Sequence, residues 1–268
     1  MELKLAAIDL DGTLLRDDMT ISPYTKDVAA EAAKRLRIVV ATGRMFDSAR
    51  EKARLLGLGD VPVICYTGAW TGLAESGRVL EREGLSTELA AAILEEGRKH
   101  GWLVQSYIND EVCLPEPSEK ERQSQKYRTK KPVYLGEAFY HPSVPPTRLI
   151  IVEPNQEKKE AIRRYLTDHF GGEAEMVYPG DVFLDVHKKG VSKGRTLARL
   201  GSEWGIRPEE MVSFGNTEND ASMLRLTGLS YAVANAEPEA KAAARVILPR
   251  TNNEDAVAHQ LAALLGLE

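Results

Sequence analysis

A chain of 268 residues, 43% of them hydrophobic and 28% charged, carries enough apolar material for one large domain or two modest ones. Its net charge of −5 gives no basic face for nucleic acid or for an anionic membrane surface, and no stretch approaches the length of a membrane span. The start lacks a basic segment leading into a long apolar one, and Cys65 and Cys113 stand far apart in apolar company, so a cytoplasmic protein without a disulfide framework or zinc knuckle is expected.

Leu3 to Leu10 reads as a buried strand running into Asp9-Leu10-Asp11-Gly12-Thr13. The two carboxylates cannot pair with each other. They point instead to the ground before the strand's C-terminal edge, where open α/β sheets bind ligands. Gly12 permits a sharp turn, which the Thr13 hydroxyl can tie. Ser22 as N-cap and Pro23 at the first helical position open a helix over Thr25 to Leu36. A strand over Arg37 to Thr42 ends at Gly43. A helix from about Met45 to Leu56 and a strand around Val61 to Tyr66 follow, and this alternation implies a parallel, doubly wound sheet.

From about Leu85 to Pro179 the rhythm changes. A helix over Ser86 to Lys99 precedes strand-like segments at Trp102 to Tyr107 and Glu111 to Leu114. The basic run Lys126 to Lys131 reads as a solvated face, and His141 to Pro146 as a loop or edge. A strand over Arg148 to Val152 and a helix over Gln156 to His169 complete an α+β unit, residues 85–180, inserted into a Rossmann-like core of residues 1–84 and 181–268. The core rhythm resumes with a helix over Lys193 to Trp204 and a strand over Met211 to Phe214. A helix through Met223, a strand over Tyr231 to Ala234 and a packing helix over Ala256 to Leu265 follow. The five histidines show no metal-ligand spacing and read as surface or packing residues.

Four segments stand in a telling order: Asp9-Leu10-Asp11-Gly12-Thr13, Ala41-Thr42-Gly43-Arg44, Gly190-Val191-Ser192-Lys193-Gly194, and Phe214-Gly215-Asn216-Thr217-Glu218-Asn219-Asp220-Ala221-Ser222-Met223-Leu224. In this order they resemble the motifs of haloacid dehalogenase superfamily phosphatases, and more narrowly the Cof-like subfamily, whose cap sits between the second and third motifs. Leu184-Asp185-Val186 and Thr251-Asn252-Asn253-Glu254-Asp255 extend the resemblance over nearly the whole chain.

A phosphate monoester is a dianion, so attack on it by a carboxylate requires shielding of charge. The resemblance assigns Asp9 as nucleophile, Asp11 as general acid and then base, and Lys193 as the cation that neutralises phosphate and nucleophile. It implies Mg²⁺ held by Asp9, the Asp11 carbonyl and Asn216, with Asp220 holding a metal-bound water or orienting Lys193. A lysine opening a helix is unfavourable for the helix dipole, which makes sense if it meets an anion. Thr42 and the Gly43 N–H suit phosphate oxygens, although Thr-Gly alone is an ordinary turn. Thr67 and Asn219 join them as phosphate-side candidates, and Arg44 serves either a substrate contact or a salt bridge within the fold.

Two departures matter. Relatives carry aspartate where this chain has Asn216, an amide that still offers oxygen to Mg²⁺ but removes one negative charge, so weaker metal affinity with surviving chemistry is expected. Thr67 replaces a customary asparagine, which alters leaving-group recognition. Asn235 and Asn252 match positions bordering the site and read as turn caps. The expected activity is Mg²⁺-dependent hydrolysis of a small phosphomonoester such as a sugar phosphate, by a monomer or small homo-oligomer. A phosphomutase, or a non-catalytic phosphate-ligand-binding protein motivated by Asn216, remain as rivals. A phosphorylation-driven ion pump is excluded by the lack of a span, and a dehalogenase has no need of Asp11.

Overall fold

The computed structural model describes residues 2–124, 130–178 and 182–267. The chain begins with β1 (Leu5–Ile8), α1 (Pro23–Ala33), β2 (Arg37–Ala41), α2 (Phe46–Arg54), β3 (Pro62–Cys65), β4 (Trp70–Leu73) and β5 (Val79–Arg82). Next come α3 (Thr87–His100), β6 (Val104–Ile108), β7 (Glu111–Leu114), α4 (Glu119–Gln123), β8 (Val133–Tyr134), β9 (Arg148–Val152), α5 (Gln156–Phe170), β10 (Ala174–Val177) and β11 (Phe183–Lys188). It closes with α6 (Lys193–Glu203), β12 (Met211–Gly215), α7 (Ala221–Leu226), β13 (Leu229–Ala232), α8 (Pro238–Ala243), β14 (Val246–Ile247) and α9 (Ala256–Leu265).

These elements form two compact units, Met1–Glu81 with Ser192–Glu268, and Arg82–Val191. The first unit holds a sheet in the order β14-β13-β12-β1-β2-β3-β4-β5. Pairing is parallel from β14 to β3, as the alternation of strands and helices predicts. The antiparallel β4 beside β3 was not signalled, since four residues containing a glycine carry no readable period. Helix α1 starts as expected: the Ser22 Oγ accepts the Thr25 N–H at 3.0 Å and Pro23 occupies the first turn.

All four residues of β1 are buried, because helices cover both faces of a parallel sheet. Leu5 and Ala7 of β1, Val39 and Ala41 of β2 and Ile64 of β3 cluster with Leu197 and Leu200 of α6. Each such leucine contributes about 1.5–3 kcal/mol by burial. From β1 the chain winds outward to β2 and β3, whereas β12, on its other side, winds outward to β13 and β14. The order therefore reverses between β1 and β12, the place where open α/β sheets bind ligands.

The second unit has a sheet in the order β10-β11-β9-β6-β7-β8, antiparallel except for β7 with β8. Val104, Leu149, Ile151, Leu184 and Val186 cluster with Leu89 and Ile93 of α3 and with Ile162 and Leu166 of α5. Alternation puts Gln105, Ile150 and Asp185, which stand in register across β6, β9 and β11, on the opposite face.

The expected boundaries need correction. The insertion ends at Val191 rather than at residue 180, because β11 pairs with both β9 and β10 and so belongs to the second sheet. Strand periodicity does not say which sheet a strand joins. The insertion also opens at Arg82 rather than Leu85. Residues 126–129 of the basic run lie outside the described residues. At its end, Lys130 donates to the Asp110 carboxylate at 3.1 Å, so that ammonium is held by the fold. Among the described residues no helix is long and apolar enough to cross a membrane.

Candidate active site

Strands β12, β1 and β2 are neighbours, so their C-terminal ends deliver Asn216, Asp9 and Thr42 to one sheet edge. The Asp9 N–H donates to the Phe214 carbonyl at 3.1 Å, which continues the ladder to the last residue before the turn. Helix α6 begins at Lys193, capped by the Ser192 Oγ, which accepts the Arg195 N–H at 3.2 Å. Lys193 is fully buried, and its Nζ donates to Asp9 Oδ1 at 2.8 Å and to Asp220 Oδ1 at 2.6 Å. The other Asp220 oxygen accepts the N–H groups of Asn216 at 2.9 Å and Thr217 at 3.1 Å. Asp220, expected as a metal residue or an orienter of Lys193, has both oxygens engaged by protein donors.

Electrostatics follow from this burial. Removal from water and the facing Asp220 carboxylate push the Asp9 carboxyl up to about 7, with Lys193 opposing them. For Lys193, burial alone would lower the ammonium's pKa, but Asp220 and Asp9 outweigh it and hold the group above the ordinary lysine value. Two buried carboxylates thus share one ammonium. Among the described residues no cluster of three His, Cys, Asp or Glu side chains could hold a metal. A hard cation here would draw on one carboxylate together with carbonyl and amide oxygens, and the donor chemistry of Asp9, the Asp11 carbonyl and Asn216 Oδ1 is of that kind. The raised Asp9 carboxyl is the mark of charge that such a cation would neutralise.

Asp11 is more exposed than Asp9, and it is clamped. Arg44 Nε donates to its Oδ2 at 2.7 Å and Arg44 Nη2 to its Oδ1 at 2.5 Å, while Arg44 Nη1 donates to Ser48 Oγ at 3.0 Å. A bidentate fork fixes direction as well as charge. Of the two roles open to Arg44, the structure shows the salt bridge within the fold.

The phosphate-side candidates converge. A Cβ built on Gly43 would lie 3.5 Å from both Asn219 Nδ2 and Thr67 Oγ1, so these three positions adjoin. Thr217 Oγ1 donates to Asn219 Oδ1 at 2.9 Å, which turns the amide nitrogen toward Gly43. The Thr42 hydroxyl accepts the Arg44 N–H at 3.2 Å. Tyr66 and Thr67 sit in the left-handed region, φ 51° and 57°, a conformation that costs roughly 1–2 kcal/mol for a residue with a Cβ. Gly68, φ 116°, then brings its Cα against the start of α6, where an added Cβ would fall 2.5 Å from the Ser192 carbonyl. Thr196 Oγ1 donates to the Gly68 carbonyl at 2.8 Å, so the strained loop is docked on the helix that carries Lys193.

Thr13 does not tie its own turn. Its Oγ1 donates to Asn216 Oδ1 at 3.0 Å, across 203 positions of sequence. Gly12, φ 71°, meets the same amide from the other side: a Cβ there would lie 2.4 Å from Asn216 Nδ2. Asn235 Nδ2 donates to the Gly12 carbonyl at 2.8 Å and its Oδ1 accepts the Asn252 N–H at 3.1 Å. Asn252 Nδ2 in turn donates to the Leu15 carbonyl at 2.9 Å. The two asparagines therefore hold the loop after β1 from a distance, rather than capping turns of their own. Thr217 was missed as a contributor, and only its place between Asn216 and the Asp220 cap could have signalled it.

A family model described as haloacid dehalogenase-like hydrolase matches residues 6–261. The chain is 28% identical to the HMP-PP phosphatase of Serratia proteamaculans, with 96% of this chain and 94% of that protein covered. It is 26% identical to the 5-amino-6-(5-phospho-D-ribitylamino)uracil phosphatase YcsE of Bacillus subtilis, again over 96% and 94%. The crystal structure of TM0651 from Thermotoga maritima superposes with a TM-score of 0.85 at 27% identity, covering 97% of each chain. With the motif residues gathered at one sheet edge and the match extending over both units, the chain belongs to the haloacid dehalogenase-like hydrolases.

Proposed function

We propose that this hydrolase cleaves small phosphomonoesters through an aspartyl-phosphate on Asp9. The observation that carries the reading is Lys193 Nζ, buried and bridging Asp9 at 2.8 Å and Asp220 at 2.6 Å. A fully buried ammonium fixed by one carboxylate and aimed at a second, more reactive one suits a site that must accept a dianion. An Asp9 oxygen attacks phosphorus, the bond from phosphorus to the ester oxygen breaks, and Asp11 gives that oxygen its proton. Water then attacks the acyl phosphate, Asp11 takes the water's proton, and the phosphorus bond to Asp9 breaks to release phosphate.

Asp9, the Asp11 carbonyl and Asn216 would hold Mg²⁺, which supplies charge neutralisation for nucleophile and phosphate. Lys193 shares that task, Gly43 N–H, Thr42, Thr67 and Asn219 orient phosphate oxygens, and Arg44 keeps Asp11 aimed until substrate arrives. The two curated relatives named above are, by their names, phosphatases, and that of the Bacillus subtilis protein specifies a small phosphorylated ribitylamino compound, which supports the substrate size.

Phosphate release from a broad panel of phosphomonoesters, with and without Mg²⁺, tests this reading beside Asp9→Asn. Release by the native chain and none by the variant is expected. Absence of release from every ester at saturating Mg²⁺, or full activity in Asp9→Asn, defeats it. Phosphate transfer within a sugar that requires a bisphosphate activator would make it a mutase instead.

A further inference from the structure

The second unit holds a cavity of about 920 Å³ that the chemistry above does not use, a size within the roughly 300–1,000 Å³ of small-molecule sites. Its floor is the margin of that unit's apolar core, where Ile151 of β9 and Ile162 of α5 meet Leu103. The Val152 N–H donates to the Leu103 carbonyl at 3.0 Å, so that pair of backbone groups beside the floor is already spent. Lys158, Ala161, Ile162 and Tyr165 stand at i, i+3, i+4 and i+7 of α5 and make one wall. His100 and Trp102, at the end of α3, make another with Lys120 of α4.

In a chain only 6% aromatic, this corner is dense in rings. The Trp102 and Tyr165 centroids lie 5.7 Å apart with their planes at 78°, and His100 stacks on Trp102 at 5.1 Å and 15°. The Tyr165 hydroxyl donates to Glu96 Oε2 at 2.6 Å, so its polar end is satisfied within the protein and its ring is left to a ligand. Two planes near a right angle let a third ring stack on one and meet the edge of the other.

The charges of the lining are uneven. Lys120 Nζ donates to the Gly101 carbonyl at 2.7 Å, and Glu153 Oε1 accepts the Asn155 N–H at 2.9 Å. The Lys158 ammonium has no partner among the described residues. Lys120 and Lys158 against Glu153 leave one positive charge over. The helical rise sets Lys158 about 10 Å along α5 from Tyr165.

We propose that this cavity binds a small aromatic acid, a planar ring seated against Trp102 and Tyr165 with one carboxylate on a flexible arm reaching the Lys158 ammonium. One surplus positive charge matches a monoanion, whereas a dianion would be left half-neutralised beside Glu153. An uncharged ring would leave the ammonium unanswered, and a cation would be repelled by it. The site lies wholly within residues 82–191 and stands independently of the phosphatase reading.

Calorimetric titration of the full chain with 4-phenylbutyrate tests the proposal, beside 4-phenylbutanamide, which lacks the charge, and hexanoate, which lacks the ring. A Kd of about 1 mM or tighter is expected for 4-phenylbutyrate. The amide and hexanoate should each bind about five-fold more weakly. Lys158→Met should weaken the acid by about five-fold and leave the amide unchanged. Ala161→Phe should abolish binding of the acid by filling the cavity from α5. Lys158 is exposed, so its variant keeps the test open should Ala161→Phe not fold. Absence of binding to the native chain, an amide that binds as tightly as the acid, or full affinity for the acid in Lys158→Met overturns the proposal.

Discussion

Around Lys193 the buried polar groups answer one another: the ammonium takes Asp9 and Asp220, and the far oxygen of Asp220 takes two backbone N–H groups. On the second sheet Gln105, Asp185 and His187 each keep one buried atom unmatched. Both regions bury charge at a cost. The first recovers it within the protein, whereas the second leaves one atom on each of three side chains unmatched.

The largest effect that would break this comparison is at Asp9. Asp9→Asn is expected to reduce turnover by at least ~10⁴-fold, measured as phosphate release. Gly68→Ala comes next. Its Cβ would collide with the Ser192 backbone, and displacement of Lys193 by ~1 Å would lower kcat by about 10²-fold while the fold persists by circular dichroism. Asn216→Asp restores a carboxylate, and a fall of about ten-fold in the Mg²⁺ concentration for half-maximal activity is expected. Equal half-saturation would show that the amide serves as well.

Stability against pH sharpens the contrast, because the two regions carry opposite signs. Asp9 is raised to about 7, so its folded form holds a proton that the unfolded chain, at 3.8, has lost. Its contribution is full below 3.8 and is lost as pH rises through about 7. Asp185 is lowered: burial opposes its charge, but Arg148 and His187 outweigh burial. Its contribution is present above 3.8 and is lost as pH falls through the depressed value. Thermal unfolding in chelator should show Asp9→Asn flattening the decline between pH 5 and 8, and Asp185→Asn flattening the acid limb alone. The smallest effect is Asn235→Ala, which removes the bond to the Gly12 carbonyl and should lower stability by about 1 kcal/mol in denaturant titration.

Much of this was readable in advance where local chemistry and fold agree. Ser22-Pro23 announces α1, the apolar runs announce β1 to β3, and Asp9, Lys193 and Asp220 stand in motifs whose order survives folding. What stayed hidden depends on pairing across long separations. Asp185 was placed with the core by a boundary drawn at residue 180, yet its strand partners are β9 and β10. The Thr13 hydroxyl had a plausible local use and found Asn216 instead. Arg44 left two readings open, and only geometry shows Nε and Nη2 of its guanidinium on Asp11.

Ser192 is both the first residue after the insertion and the N-cap of α6. Lys193 is anchored by its own capped helix, by the close approach of Gly68, and by Asp9 and Asp220. An exchange of residues 82–191 that keeps Ser192 therefore keeps the cap of the helix that carries Lys193.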